Sequence, residues 1–173
     1  MSTCNSHTLS GLGVTCDASM GGIAEVYIAH KSDIGDIKIT EDKISAITLN
    51  DSAKFKTYSF RKGTGSMTQT WSIDAANGVY FCQTDLSLAF SRMDTQKRVE
   101  MQTLVLDDVV VIVRDCNNVY WYLGYNEPVN ASAAGAETGT ARTDGNKYTL
   151  TLTDYSLEYP YEVDASIIAG IVE

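Results

Sequence analysis

Nucleophilic or metal chemistry in this chain would rest on two histidines, His7 and His30, and four cysteines, Cys4, Cys16, Cys82 and Cys116. No Cys-x-x-Cys or His-x-x-x-His pair occurs, so the spacing that holds a zinc ion is missing. His7 lies in a small, polar N-terminal stretch and His30 at the end of a short strand pattern. Neither has a nucleophile legibly paired with it. Gly-x-Ser-x-Gly, which exposes an activated serine, is absent. Asp107-Asp108 is a carboxylate pair, but that pair also suits a helix end entering a turn, and the turn is the favoured reading. Asp115-x-Asn117-Asn118 offers oxygen ligands for a hard cation such as calcium. It lacks the glycine and the distant glutamate of an EF-hand, so a hairpin turn is expected there. Lys62-Gly-Thr-Gly-Ser66 is glycine-rich but has not the spacing of a phosphate-binding loop. No catalytic, cofactor-binding or metal-binding residue is therefore assigned, no cofactor is expected, and the chain reads as non-enzymatic.

Bulk composition narrows the partners. Twenty-two acidic against thirteen basic residues give a formal net charge of −9 over 173 residues. That balance disfavours a basic nucleic-acid face and binding to an anionic membrane, and an acidic surface meets DNA by repelling it. No run reaches the roughly 18 apolar residues of a membrane helix. The first twenty residues lack the charged and apolar regions of a secretory leader. Reduced thiols are therefore expected, with a Cys4–Cys16 bridge left open.

The elements that would position these residues are mostly strands. Residues 109–113, Val-Val-Val-Ile-Val, are apolar on both faces. Such a strand lies between two layers, or between one layer and a neighbouring subunit. The turn 114–118 leads into a second, aromatic strand, 119–125, making a hairpin. Tyr120, Trp121, Tyr122 and Tyr125 on it suit core and interface better than base stacking, since no Lys or Arg interleaves them. Further strands are expected at 25–29, 36–40, 43–49, 54–61 and 67–73. Glu41-Asp42 makes a tight turn. After the Asn77-Gly78 turn, 79–93 gives a long strand with Tyr80, Cys82, Thr84, Leu86, Leu88 and Phe90 on one face. Gln83, Asp85, Ser87 and Ser91 form its wet face. A single helix is expected at 94–106, with Val99, Leu104 and Leu106 as its apolar stripe. Residues 127–146 read as a long loop and 147–153 as a strand. Residues 158–163 read as a final edge suited to Pro160, and 165–173 as an apolar tail that does not hang free in water. The organisation is an N-terminal arm over 1–22, a β-sandwich domain over 23–164 and the tail. The arm is disordered or ordered only against a partner. The fold class is mainly β, a β-sandwich or partly closed barrel with one flanking α-helix.

The order of these signals resembles a known family. Val109-Val-Val-Ile-Val-Arg-Asp, then Tyr120-Trp-Tyr-Leu-Gly-Tyr125, Thr138-Gly-Thr-Ala141 and Asp144-Gly-Asn-Lys-Tyr-Thr-Leu-Thr-Leu152 are similar to tail-tube and related ring-forming tail proteins of tailed bacteriophages. The likeness is to those of phages of Bacteroides-type hosts, including crAss-like phages, and covers roughly residues 54–163. The resemblance implies a sandwich that assembles into a homo-oligomeric ring, hexamer or dodecamer, alongside other tail or neck proteins. DNA would pass through an acidic lumen without specific binding, and inner strands of neighbours would join into one barrel. The arm, the loops 61–66 and 127–146 and the tail 165–173 become candidate clasps. The Asp85-bearing face becomes a candidate lumen wall.

The expected function is thus a structural virion protein of a phage tail or neck, made in the host cytoplasm: a tail tube or ring adaptor. The alternative is a carbohydrate- or partner-binding β-sandwich, such as a fibre or decoration module, motivated by the aromatic strand. An enzyme ranks last.

Overall fold

The computed structural model of the chain describes residues 9–173. The strands are β1 (Ile23–His30), β2 (Ile34–Thr40), β3 (Lys43–Leu49), β4 (Lys56–Tyr58), β5 (Ser66–Asp74), β6 (Val79–Ser91), β7 (Val109–Asp115), β8 (Tyr120–Leu123), β9 (Asn130–Glu137), β10 (Lys147–Ser156) and β11 (Tyr161–Val163). The helices are α1 (Thr95–Leu106) and α2 (Ala165–Ile171). A seven-stranded sheet has the order β2-β3-β11-β8-β7-β1-β4, and a four-stranded sheet the order β5-β6-β10-β9. Two sheets and a flanking helix make a β-sandwich-like fold, which is not a closed barrel.

The strand β7 is the centre of the packing. It lies between β8 and β1, and Val109 to Val113 are each no more than 1% exposed. A strand turns alternate side chains to opposite faces. Val109, Val111 and Val113 accordingly join Leu86, Leu88, Leu150 and Leu152 of the smaller sheet in one core. Val110 and Ile112 join Tyr27, Ile44, Phe55 and Tyr122 in a second core on the opposite face. Both layers that the doubly apolar strand requires come from this same chain.

The second core is roofed by what the sequence marks only as an apolar tail. Residues 165–171 form α2, capped by Asp164, whose carboxylate accepts from the Ser166 N–H at 2.9 Å. Ile168 and Ile171 are buried, and the end of the chain pairs with Phe55: Glu173 N–H donates to the Phe55 carbonyl at 2.9 Å. The tail is therefore folded onto its own sheet. The fold holds this second, short helix besides the expected one.

The expected helix, α1, is capped by Asp94, which accepts from the Lys97 N–H at 2.8 Å. Its buried stripe is Met101 and Leu104. Leu104 is buried as expected, but Val99 and Leu106 are 51% and 75% exposed, and Met101 takes their place on the inward face. The helix lies against β9 and reaches β4 through a Tyr58–Glu100 hydrogen bond, covering the side of the sandwich between the two sheet edges.

Four further expectations are corrected. Tyr80 is 52% exposed although it shares parity with buried Cys82, Thr84, Leu86, Leu88 and Phe90, because it lies at the hairpin tip. The strand expected at 54–61 is confined to β4, since Phe55 before it bridges to Val172. Part of the loop expected at 127–146 is β9: its alanines have weak strand preference, but β10 offers a ladder that fixes them. β11 is not an edge. It runs parallel to β3 and antiparallel to β8, and Pro160 precedes it, so the missing N–H falls outside the ladder.

Turn chemistry matches the sequence closely. Glu41 and Asp42 have φ of 52° and 61°, the left-handed pair that closes a two-residue hairpin. Gly124 ends β8 at φ 96°, where a Cβ would stand 2.9 Å from a Val110 methyl, so glycine is required.

If both faces of the large sheet are core, Leu86→Ala in the first cluster and Ile112→Ala in the second each cost about 2–5 kcal/mol. Urea denaturation measures this; a near-neutral Ile112→Ala would mean that the α2-covered face contributes little.

Candidate assembly surfaces

The inner face of the four-stranded sheet is core, and the outer face is left open. Register places Ser66, Ser87 and Thr151 in one row across it, then Thr68, Asp85 and Thr153, then Thr70, Gln83 and Tyr155. The result is a surface of hydroxyls and amides around one carboxylate. Asp85 is held there by Thr153, whose hydroxyl donates at 2.7 Å, and by the Gln83 amide at 3.0 Å. The wet face expected for β6 is the middle of this surface.

Both edges of this sheet, β5 and β9, lack a neighbour among the described residues, as do β2 and β4 at the ends of the larger one. An unpaired edge presents free N–H and C=O groups to any strand that can reach it. Near the free end of the β5–β6 hairpin, Ile73, Tyr80, Leu157 and Tyr159 are exposed. Trp71 packs edge-on against Tyr159 and Phe81 against Tyr155, with centroids 5.4 and 5.8 Å apart.

Residues 9–22 are exposed throughout, and the side chains of Leu9, Leu12 and Val14 make essentially no contact with the body, at 98–104% exposure. The root of this arm is fixed. Met20 N–H donates to the Asn117 side chain at 2.8 Å, and the Asn117 amide returns a bond to the Met20 carbonyl at 3.1 Å.

The residues weighed for chemistry are dispersed. His7 and Cys4 lie outside the described residues. His30 is 3.6 Å from Asp107 at the surface. Asp107 caps α1, and Asp108 accepts from the Asn130 side chain at 2.5 Å. Asp115 accepts from the Asn117 and Val119 N–H groups and from the Trp121 indole. Its oxygens thus close the hairpin turn. Cys16 is exposed and Cys82 buried. Ser59-Phe-Arg-Lys62 has the Ser-x-x-Lys spacing, contrary to the expectation that this motif is absent; it lies in a non-helical loop, where one turn of helix does not bring the pair together. The aromatic hairpin strand is engaged internally. Tyr122 is 1% exposed, Tyr120 stacks on Tyr27 at 6.4 Å, and Tyr125 packs on Tyr161 at 5.1 Å.

One ionisable group stands out by its burial, and nothing in its local sequence marks it. Asp154 continues the inward parity of Leu150 and Leu152 on β10, at 2% exposure. The Gly124 N–H bonds to it, but one carboxyl oxygen has no partner, and neither has the nearby buried Tyr122 hydroxyl. Lys31, half-buried, donates instead to the Gly124 carbonyl at 2.6 Å. Burial pushes the Asp154 pKa up to about 6, against the pull of the Gly124 N–H and the Lys31 charge.

No protein-family model matches the chain, and no match is found among curated proteins or among solved structures.

A carboxyl whose pKa rises on folding binds its proton more tightly in the folded state, so stability falls as pH rises from about 4 to about 6 and is level above. Asp154→Asn mimics the neutral form. It is expected to match the parent near the acid end of that window and to exceed it by about 2–3 kcal/mol at neutral pH. Denaturant midpoints across the window read this; an Asn variant less stable than the parent at neutral pH would mean that the charge is compensated.

Proposed function

We propose that this protein is a non-enzymatic structural subunit of a phage tail or neck, whose copies close into a ring around a channel for DNA. The observation that carries this reading is the four-stranded sheet: without a paired strand at either edge among the described residues, dry on one face and hydroxyl-rich on the other. Each neighbouring pair in it is antiparallel, so with four strands β9 runs opposite to β5. Rotating a copy about an axis along the strands keeps their sense, so β9 of one copy meets β5 of the next as a further antiparallel pair. Repetition closes a barrel, which removes the exposed edges. Its wall is then the Ser/Thr/Gln face with Asp85, which offers DNA phosphates like charge, its aromatic surface confined to Phe81 and Tyr155 at one end.

The arm supports the same reading. Leu9, Leu12 and Val14 have no partner within the described chain, and a neighbouring copy supplies one. A second reading, a carbohydrate- or partner-binding module, draws on the cleft where Phe81, Tyr155 and Leu157 meet Asn126 and Glu127. Aromatic faces beside an amide and a carboxylate suit a sugar.

Negative-stain electron microscopy over a concentration series is expected to give rings or tubes with a central channel; uniform monomers at every concentration would remove the ring reading. Deleting residues 1–19 is expected to weaken assembly while leaving the denaturation midpoint of the monomer unchanged, because those described residues pack on nothing. A truncated chain that assembles as well as the full one would leave the arm without a part in it.

A further inference from the structure

Two of the thiols lie on either side of the arm's root. The root continues the antiparallel pairing of β1 with β7 past its end: Ile23 pairs with Asp115, and Cys116 N–H donates to the Gly22 carbonyl at 3.1 Å. Gly22 has φ 99°, and the Cys116 sulfur lies 3.7 Å from the place that a Cβ there would take. The sulfur therefore faces the path of the arm, and Cys116 is half-buried. One residue on, the Asn117 side chain clasps Met20 through both its N–H and its carbonyl, at 2.8 and 3.1 Å. Cys16 is exposed, four residues beyond Met20, and the chain bends at Asp17. Both thiols are free.

The distance to be closed is short. Four extended residues span at most about 14 Å, and a disulfide needs Cα atoms roughly 4.4–6.8 Å apart. A turn through Asp17, Ala18 and Ser19 brings Cys16 back over Met20, within reach of Cys116, the neighbour of Asn117. Residues 16–19 are exposed, so closure moves the arm alone and leaves both sheets as they are. Because Met20 is already held, the loop that closes is only a few residues long and costs little entropy. Cys82, by contrast, is buried on β6, where burial pushes its thiol up and keeps an oxidant away.

We propose that Cys16 and Cys116 form an intrachain disulfide that staples the arm to the β7–β8 turn when the chain meets a disulfide oxidant. The exposed Cys16 thiolate attacks one sulfur of an oxidant such as oxidised glutathione and expels one glutathione thiolate. The Cys116 thiolate then attacks the Cys16 sulfur of that mixed disulfide and expels the second. Two protein thiols become one disulfide, one glutathione disulfide becomes two thiols, and both protons pass to the departing glutathione. The staple moves the last fixed point of the arm from Met20 out to Cys16. Val14, two residues further on, is drawn to the turn, and Leu9 and Leu12 lose reach. How far the arm extends then follows the redox state of the medium. The staple needs one copy only, so it stands whether or not copies close into a ring.

The test treats the full chain with oxidised glutathione under native conditions and maps its peptides, unreduced, by mass spectrometry. The expected product is a monomer lighter by two hydrogens, with Cys16 linked to Cys116 and Cys82 unmodified. Cys4→Ser keeps the bridge; Cys16→Ser and Cys116→Ser each lose it. Asn117→Ala, which releases Met20, is expected to slow closure several-fold while Cys16 takes up glutathione at the parent's rate. The bridged chain is expected to unfold at higher denaturant than the reduced one, because the link spans about 100 residues of the unfolded chain. Thermal melts of the variants in reductant, matching the parent's, show that each is folded. Glutathione adducts on Cys16 and Cys116 without a bridge would overturn the proposal, since the arm would then fall short of the turn. So would a bridge through Cys4 in place of either thiol, a Cys16–Cys16 link between two copies, or closure at the parent's rate in Asn117→Ala.

Discussion

Everything in this fold depends on one strand having no wet side. Val109 to Val113 are apolar at every position, so β7 is stable only with a hydrophobic layer on each face. On one side that layer is the four-stranded sheet; on the other it is assembled from the β2–β3 hairpin, Phe55 and α2. Each residue so buried contributes roughly 1.5–3 kcal/mol. The placement of the chain's last residues against the segment before β4 follows from that demand.

The readable parts of the sequence were those where local chemistry and tertiary context agree. Period-two alternation located β5, β6 and β10, the left-handed Glu41-Asp42 turn closed the first hairpin, and Asp94 marked the start of α1. What was not readable depended on a distant partner. β9 is a strand because β10 lies beside it, not because alanine prefers to be extended. α2 forms because Ile168 and Ile171 find the second core; alone, seven residues with a glycine would not hold a helix. Val99 and Leu106 were misplaced in the α1 stripe, beside a correctly placed Leu104, for the same reason: which helical face is inward is set by the sheet edges it covers.

The surfaces were legible in kind more than in detail. The wet face of β6 and the exposed arm were both expected from residue types. The basic cluster at one end of the sheet was not, because Arg61, Arg92 and Lys147 are far apart in sequence: the β6–β10 register sets Lys147 opposite Ser91, and Arg61 reaches Ser91 from the loop after β4. Asp154 was likewise hidden: it follows a run of alternating threonines, and only its inward parity distinguishes it from an ordinary surface aspartate.

The edge formed by β9 has a consequence for what can pair with it. A free edge made of valine, isoleucine or tyrosine would template indiscriminate growth with any extended peptide. Asn130-Ala-Ser-Ala-Ala-Gly-Ala-Glu137 carries no β-branched aliphatic and no aromatic side chain, so backbone pairing alone holds a visitor weakly. A bulge also offsets its ladder beside Ser132, which narrows the registers that a partner can adopt. Such an edge selects by multivalence: only an occupant that engages several other surfaces at once stays. The isolated chain can then reach high concentration without nucleating fibres through this edge.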